Sequence, residues 1–247
     1  MKKGALFIAG GGFFGSKALH EASSYPLVLV ADVESRCPVN KDVDLVIPLD
    51  KLDLDKDHLG RFKSILIVGN ASDALSKVVR LGLKPEIVVP AIPRHFAADF
   101  LKRELEMRRL KVIPSPDDIK KALKLFSKEL ILNSDFESST FTFSCMPPWS
   151  RCIVPCNQPS ICPVSGRSKV KPIIKIAEEL LRFTDLALAL ESKKIGNFVG
   201  GFDFEALWNF IHEVEANVDD RRDVSVALTT ACKCHGVASF FKVTHDH

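Results

Sequence analysis

ALFIAGGGFFGSKALHEASSYPLVLVAD, residues Ala5 to Asp32, decides how this chain folds. Leu6–Ala9 is a short, unbroken apolar run, the pattern of a strand covered on both faces. Gly10, Gly12 and Gly15 follow it as G-x-G-x-x-G, with Phe13 and Phe14 filling the last gap. Phe14–Ser23 carries helical patterning, and Leu27–Ala31 is a second apolar run ending at Asp32. Strand, glycine loop, helix and strand in that order form the opening of a βαβ unit. The first glycine suits a tight turn, the second a close backbone approach, and the third close packing of helix on strand.

The same texture continues outward. Leu45–Ile47, Ile65–Val68, Ile87–Val89 and Val112–Ile113 read as further short strands. Ala71–Leu81, Phe96–Arg109 and Asp117–Lys128 read as the helices between them. Alternation of this kind predicts right-handed crossovers and a parallel sheet, an α/β fold. The Asp32–Asp44 link is too short and polar for a full helix, which leaves the strand order open. After about residue 130 the pattern breaks. Asn133–Thr142 is polar, and Cys145–Pro172 is dense in proline and cysteine. Ile173–Ser192 reads as an amphipathic helix, Gly200-Gly201 as a tight turn, Phe204–Val214 as a helix and Val224–Thr230 as a strand. The expected organisation is therefore a Rossmann-like domain over residues 1–130 and a smaller Cys-rich α+β region over 131–247.

On its glycine loop and the acid closing its second strand, the N-terminal half resembles the NAD(P)-binding Rossmann superfamily. That resemblance implies a dinucleotide at Gly10, Gly12, Phe13, Phe14 and Gly15, with its pyrophosphate at the helix N-terminus. Asp32 would accept hydrogen bonds from ribose hydroxyls and would repel a 2′-phosphate. NAD is therefore expected over NADP, although Arg36 lies near enough in sequence to soften the preference. An acidic residue just before the loop, usual in methyltransferases, is absent: Phe7-Ile8-Ala9 stands there. Ligands of open parallel sheets lie beyond the carboxyl ends of the strands. That rule adds Asn70, as a neighbour of the nicotinamide ribose or a helix cap, and Arg94-His95, with His95 as a proton carrier or simply a helix start.

Six of the seven cysteines follow residue 144. Cys145, Cys152, Cys156 and Cys162 are spaced C-x6-C-x3-C-x5-C, and Cys232, Cys234 and His235 form a second group. Clustered thiols in a reducing compartment point to metal or redox chemistry more than to disulfides. Zinc prefers paired short knuckles. Iron–sulfur clusters accept wider spacing, and Cys162-Pro163 matches the C-P that closes ferredoxin runs. Iron–sulfur, zinc and thiol redox remain open on spacing alone. Cys37 stands apart as a plain thiol, and Ser165–Lys169 is either an anion grip or a solvated basic turn.

Composition limits the rest. A net charge of +3, with 46% apolar and 26% charged residues, describes an ordinary globular chain and gives no sign of nucleic-acid binding. The apolar start is too short for a secretory signal, and Arg182 and Asp185 interrupt the most apolar later stretch, so a cytoplasmic location without membrane contact is expected. The expected ligand is a small molecule or nucleotide, with a homo-oligomer or protein partner compatible. Two function classes emerge. One is an oxidoreductase-type protein coupling a dinucleotide domain to a cysteine-bound metal centre. The other is a non-enzymatic sensor of nucleotide, metal or redox state that regulates a partner.

Overall fold

The computed structural model describes residues 4–52, 61–147, 149–150, 152–153, 155–218 and 223–245. The class is α/β, built as two compact units: residues 1–103 with 193–205, and residues 104–192 with 206–247. The chain thus divides near 103, before the change in texture at 130, and the segment 193–205 returns to the first unit.

In the first unit, β1 (Ala5–Ala9), α1 (Phe13–Glu21), β2 (Val28–Asp32), β3 (Leu45–Pro48), β4 (Ser64–Val68), α2 (Ala71–Arg80) and β5 (Pro85–Pro90) follow in order. Their strands are parallel neighbours in the order β5-β1-β2-β4-β3. A short 3-10 helix, Pro38–Asp42, replaces a crossover helix between β2 and β3. The opening βαβ unit therefore holds, and the polar link behaves as its length demands. Aromatic residues fill one part of the core: Phe7 stacks on Phe96 at 6.1 Å, Phe96 on Phe100 at 6.4 Å, and Phe100 meets Phe204 at 5.8 Å. Leu6, Ile8, Val28, Val30 and Leu66 pack in a second cluster with Ala18, Ala22 and Val39. Side chains of successive strand residues point to opposite faces, so this sheet is covered on both.

Gly200-Gly201 is not a turn. It opens β11 (Gly200–Asp203), which adds antiparallel to β5 and carries β10 (Lys193–Lys194) at its edge. A Cβ on Gly201 would lie 2.5 Å from Ile87 Cγ2, so this glycine serves close strand packing.

The second unit opens with residues shared by α3 (Phe96–Met107), then β6 (Leu110–Pro114) and α4 (Pro116–Leu125). β6 does not extend the parallel sheet. It pairs antiparallel with β13 (His235–His245). Its burial alternates from Leu110 to Ile113, the mark of a half-covered strand. The polar stretch near 133 forms a hairpin, β7 (Ile131–Asp135) and β8 (Thr140–Ser144), around an Asp135 turn whose carboxylate accepts from the Glu137 N–H and the Ser138 hydroxyl.

The long helix expected over 173–192 stops early, as α5 (Ile173–Leu180) and a 3-10 turn, Leu181–Phe183. Asp185 then pairs with the backbone and hydroxyl of Ser225, and β9 (Leu186–Glu191) runs parallel to β12 (Val224–Ala231). The alternation in LALALE is a strand period, and it prevails over the helical stripe. α6 (Phe204–Asn217) completes the set. The order of the second sheet is β7-β8-β13-β12-β9, over a core of Phe126, Phe141, Phe143 and Phe240 with Ile173, Ile174 and Ala177. Among the described residues no helix is long and apolar enough to cross a membrane.

Candidate functional site

In the first unit β1 lies between β2 and β5, so the winding of the chain reverses beside β1. Ligands of open α/β sheets collect beyond the strand ends at such a reversal. A cleft of about 400 Å³ sits there. It is lined by Gly10 and Gly12, by Asp32, by Asn70 and Ser72, and by Arg94 with Asp99. That volume lies in the range of small-ligand sites.

The loop glycines differ in what they do for the protein. Gly10 has φ +104, a left-handed conformation, and a Cβ there would stand 2.7 Å from the Ala91 carbonyl oxygen. A Cβ on Gly15 would overlap the Gly10 carbonyl oxygen. Both are demanded by the protein's own packing. Gly12 is not. Its backbone is extended, with φ −72 and ψ −156, and a Cβ there would meet nothing within 4 Å. It is the N-cap of α1, with no side-chain cap bond. The first turn of α1 thus opens on free space beside the cleft.

Asp32 closes β2 with both carboxylate oxygens held. The Gly11 N–H donates to Oδ2 at 2.6 Å and the Glu34 N–H to Oδ1 at 2.8 Å. These bonds tie the acid to the glycine loop and fix its orientation, while each oxygen keeps further acceptor capacity. Asn70 caps α2: its Oδ1 accepts from the N–H groups of Ser72 (2.9 Å) and Asp73 (3.2 Å). Its lining role thus combines with the helix-cap role that sequence also allowed. Arg94 and Asp99 form a two-point pair on the far wall, at 3.0 and 3.1 Å. The strand-end rule points to Arg94 in the sequence; its partner Asp99, a turn into the next helix, carries no such signal.

Phe13 and Phe14 begin α1 but lie outside the cleft lining, with exposures of 64% and 50%. Their rings meet edge to face at 5.3 Å, and the Lys17 ammonium sits 5.7 Å from the Phe13 ring. What they can offer a phosphate is backbone N–H groups. His95 heads α3, where its carbonyl accepts from the Ala98 and Asp99 N–H groups. Its imidazole is 7% exposed, lies outside the cleft lining, and burial pushes its pKa down to about 3. The imidazole is therefore neutral around pH 7 and cannot carry protons for the cleft by titrating there.

In the second unit the cysteines draw together from two distant stretches. The Cys145 N–H donates to the Cys234 carbonyl at 2.9 Å, which binds the end of β8 to the loop before β13. The Cys162 loop closes on itself through Cys162 N–H to Arg167 O (2.9 Å) and Gly166 N–H to Cys162 O (2.8 Å). The Lys169 ammonium donates to the Cys234 sulfur at 3.1 Å. Cys232 Sγ accepts from the Cys234 N–H at 3.4 Å and lies 3.8 Å from His235 Nδ1. Cys156 Sγ accepts from the Gln158 N–H at 3.3 Å.

Charge couples these thiols. Burial and then the neighbouring Cys234 push Cys145 up; burial and then Cys156 push Cys152 up. A hydrogen bond from Cys234, with backbone N–H groups, brings Cys232 down to about 6, while the same bond and burial push Cys234 up. All seven cysteines are free thiols. Among the described residues no three His, Cys, Asp or Glu side chains are grouped so as to hold a metal ion.

Residues 97–244 match a family described as "Uncharacterized protein, C-terminal domain". The match spans more than half the chain, and the protein belongs to this family. The matched span takes in the six gathered cysteines and His235 and begins beyond the glycine loop. A protein of Archaeoglobus fulgidus, described as "Uncharacterized protein", is 24% identical over 238 residues, 95% of this chain and 98% of its own. No solved structure matches.

Proposed function

We propose that the first unit, 1–103 with 193–205, binds a dinucleotide of the NAD type in the cleft at the end of β1. The observation that carries this reading is Gly12. Its neighbours Gly10 and Gly15 are required by packing and backbone conformation, whereas among the described residues nothing lies within 4 Å of a Cβ at 12. A ligand phosphate approaching the backbone is the reason a side chain would be kept out there. The uncapped first turn of α1 would supply N–H donors and the positive end of its dipole to that phosphate.

Asp32, held in place by Gly11 and Glu34, would take a ribose hydroxyl pair and discriminate against a 2′-phosphate. This resembles the arrangement of the NAD(P)-binding Rossmann superfamily, and the reversal of winding beside β1 supports it. On the far wall, Arg94 would meet an anionic part of the ligand or of a second substrate, with Asp99 holding its guanidinium in place.

His95 bears on whether binding leads to chemistry. With its imidazole buried and the cleft walled by amides, an ion pair and Asp32, the site is better furnished to hold a nucleotide than to move protons. That favours the sensor class over a dehydrogenase. The test is calorimetric titration of the full chain with NAD+, NADH, NADP+ and NADPH. Binding of the first two, stronger than the phosphorylated pair, supports the reading. Heat of binding from none of the four refutes it.

A further inference from the structure

The turn between β12 and β13 carries chemistry that nucleotide binding does not use. Cys232, Lys233 and Cys234 form it, and the Cys232 N–H closes it by donating to the His235 carbonyl at 2.9 Å. This tight reversal brings the two sulfurs into a hydrogen bond, the Cys234 thiol donating to Cys232. The two thiols are unequal in access. Cys232 is partly exposed, whereas Cys234 is buried.

The surroundings of Cys232 favour a thiolate. The Cys234 N–H donates to its sulfur at 3.4 Å, and His235 Nδ1 stands 3.8 Å away, a further donor in one tautomer. The Gln158 side chain makes another hydrogen bond to it from the proline-rich loop. Gln158 holds a left-handed backbone conformation, φ +50, which non-glycine residues seldom adopt. Its own N–H meanwhile donates to the Cys156 sulfur at 3.3 Å. On the other side of the pair, the Lys169 ammonium donates to the Cys234 sulfur at 3.1 Å. A thiol that only fills a core needs no such set of donors, because uncharged sulfur packs as a small apolar group. Donors and a cation around two touching sulfurs are what thiolate chemistry needs.

We propose that Cys232 and Cys234 form a thiol–disulfide exchange pair, in which Cys232 attacks an external disulfide and Cys234 resolves the product. In the first step the Cys232 thiolate forms a bond to one sulfur of R–S–S–R and breaks the S–S bond, releasing RS−. Cys232 is then uncharged in a mixed disulfide. The negative charge that held the proton on Cys234 is gone, while Lys169 still favours a thiolate there. In the second step the Cys234 sulfur attacks Cys232 Sγ, closes the Cys232–Cys234 disulfide and releases the second RS−. The Cys234 proton leaves with one of the two departing thiolates. The protein dithiol loses two electrons and the external disulfide gains them. Access fits this order, since the attacking sulfur must meet a substrate and the resolving sulfur need meet only Cys232.

The experiment uses the reduced full chain without oxygen, in excess over oxidised glutathione in one arm and over insulin in the other. Free thiols are then blocked with N-ethylmaleimide and the cysteines mapped by peptide mass. The expected result is two thiols released for each disulfide consumed, with a new disulfide joining Cys232 to Cys234. Reaction in the first arm alone identifies small disulfides as the substrate, and faster reaction with insulin identifies protein disulfides. Cys234→Ser stops at a mixed disulfide on Cys232, and Cys232→Ser leaves Cys234 unoxidised, each with an unchanged far-ultraviolet dichroism spectrum. Cys37→Ser, in the other unit, reacts as the parent does. Lys169→Gln lengthens the life of the mixed disulfide about tenfold, the loss of one charge-assisted hydrogen bond. Three results overturn the proposal: no disulfide at Cys232 in either arm, a disulfide joining Cys234 to Cys145 or Cys162, or a mixed disulfide in Cys234→Ser at a cysteine other than Cys232.

Discussion

Replacing Gly12 by alanine separates a glycine kept for the fold from one kept for a ligand. The added methyl meets nothing within 4 Å, and φ −72 is open to any residue. Alanine caps a helix less well than glycine, a cost of about 0.5–1 kcal/mol. It also restricts the unfolded chain, a gain of about 0.4–1 kcal/mol. The two offset, so the urea midpoint should barely move. Binding should respond differently. A methyl between the loop and a phosphate displaces it from one charge-assisted N–H bond, about 1.5–3 kcal/mol, or about 10- to 100-fold in NAD affinity. Gly15→Ala is the counter-case: its methyl overlaps the Gly10 carbonyl oxygen, and the variant should lose several kcal/mol of stability, the range of severe strain or overpacking (about 3 kcal/mol or more). Calorimetric titration beside urea unfolding reads both quantities. A Gly12→Ala protein that binds NAD as tightly as the parent would show that the open space at Gly12 holds no phosphate.

Other positions give sharper single readings. Asp32→Asn should weaken NADH by about tenfold, one charge-assisted bond, while leaving NADPH no worse; equal losses for both would remove Asp32 from ribose recognition. His95 is neutral in the folded state down to about pH 3, against 6.5 when free. Its contribution to stability is complete above pH 6.5 and is lost as pH falls, at about 1.4 kcal/mol per pH unit. His95→Gln should flatten the fall in urea midpoint between pH 6.5 and 5, and an unchanged slope would place the imidazole in water. Thr229, fully buried in β12, has a hydroxyl without a hydrogen-bond partner among the described residues. Thr229→Val should raise stability by about 1 kcal/mol, and a loss in thermal unfolding would mean that the hydroxyl is bonded after all.

The parts of the fold legible in the sequence were those where one local signal had no competitor. Leu6–Ala9 and Leu27–Ala31 could only be strands of a doubly covered sheet, and the glycines between them fixed the turn. The errors arose where two signals overlapped. Leu186–Leu190 satisfies a helical stripe loosely and a strand period closely. The choice was made by Asp185, whose bonds to Ser225 are invisible before the partner strand is known. Val112–Ile113 matched the preceding strands in composition but not in alternation, and its burial shows that the alternation was the better guide. Gly200-Gly201 reads locally as a turn, and the crowding by Ile87 that excludes a side chain at Gly201 is visible only once β11 lies beside β5.

The candidate sites obey the same rule, with a different outcome for each. The place of Asp32 beside the glycine loop was legible because it depends on nearby partners: a strand end and a loop close in sequence. His95 was not, because whether an imidazole after a strand faces the cleft or the core depends on tertiary packing that no spacing records. The cysteines fall between these cases. Their gathering across some 70 residues, from Cys162 to Cys232, results from β8 and β12 both flanking β13, a pairing the polar, Ser/Thr-rich look of 133–142 concealed. Once β8 ends at Ser144 beside the start of β13 at His235, Cys145 must lie against Cys234. The antiparallel register alone then joins the two cysteine-bearing stretches, so their meeting is a consequence of sheet topology rather than of motif.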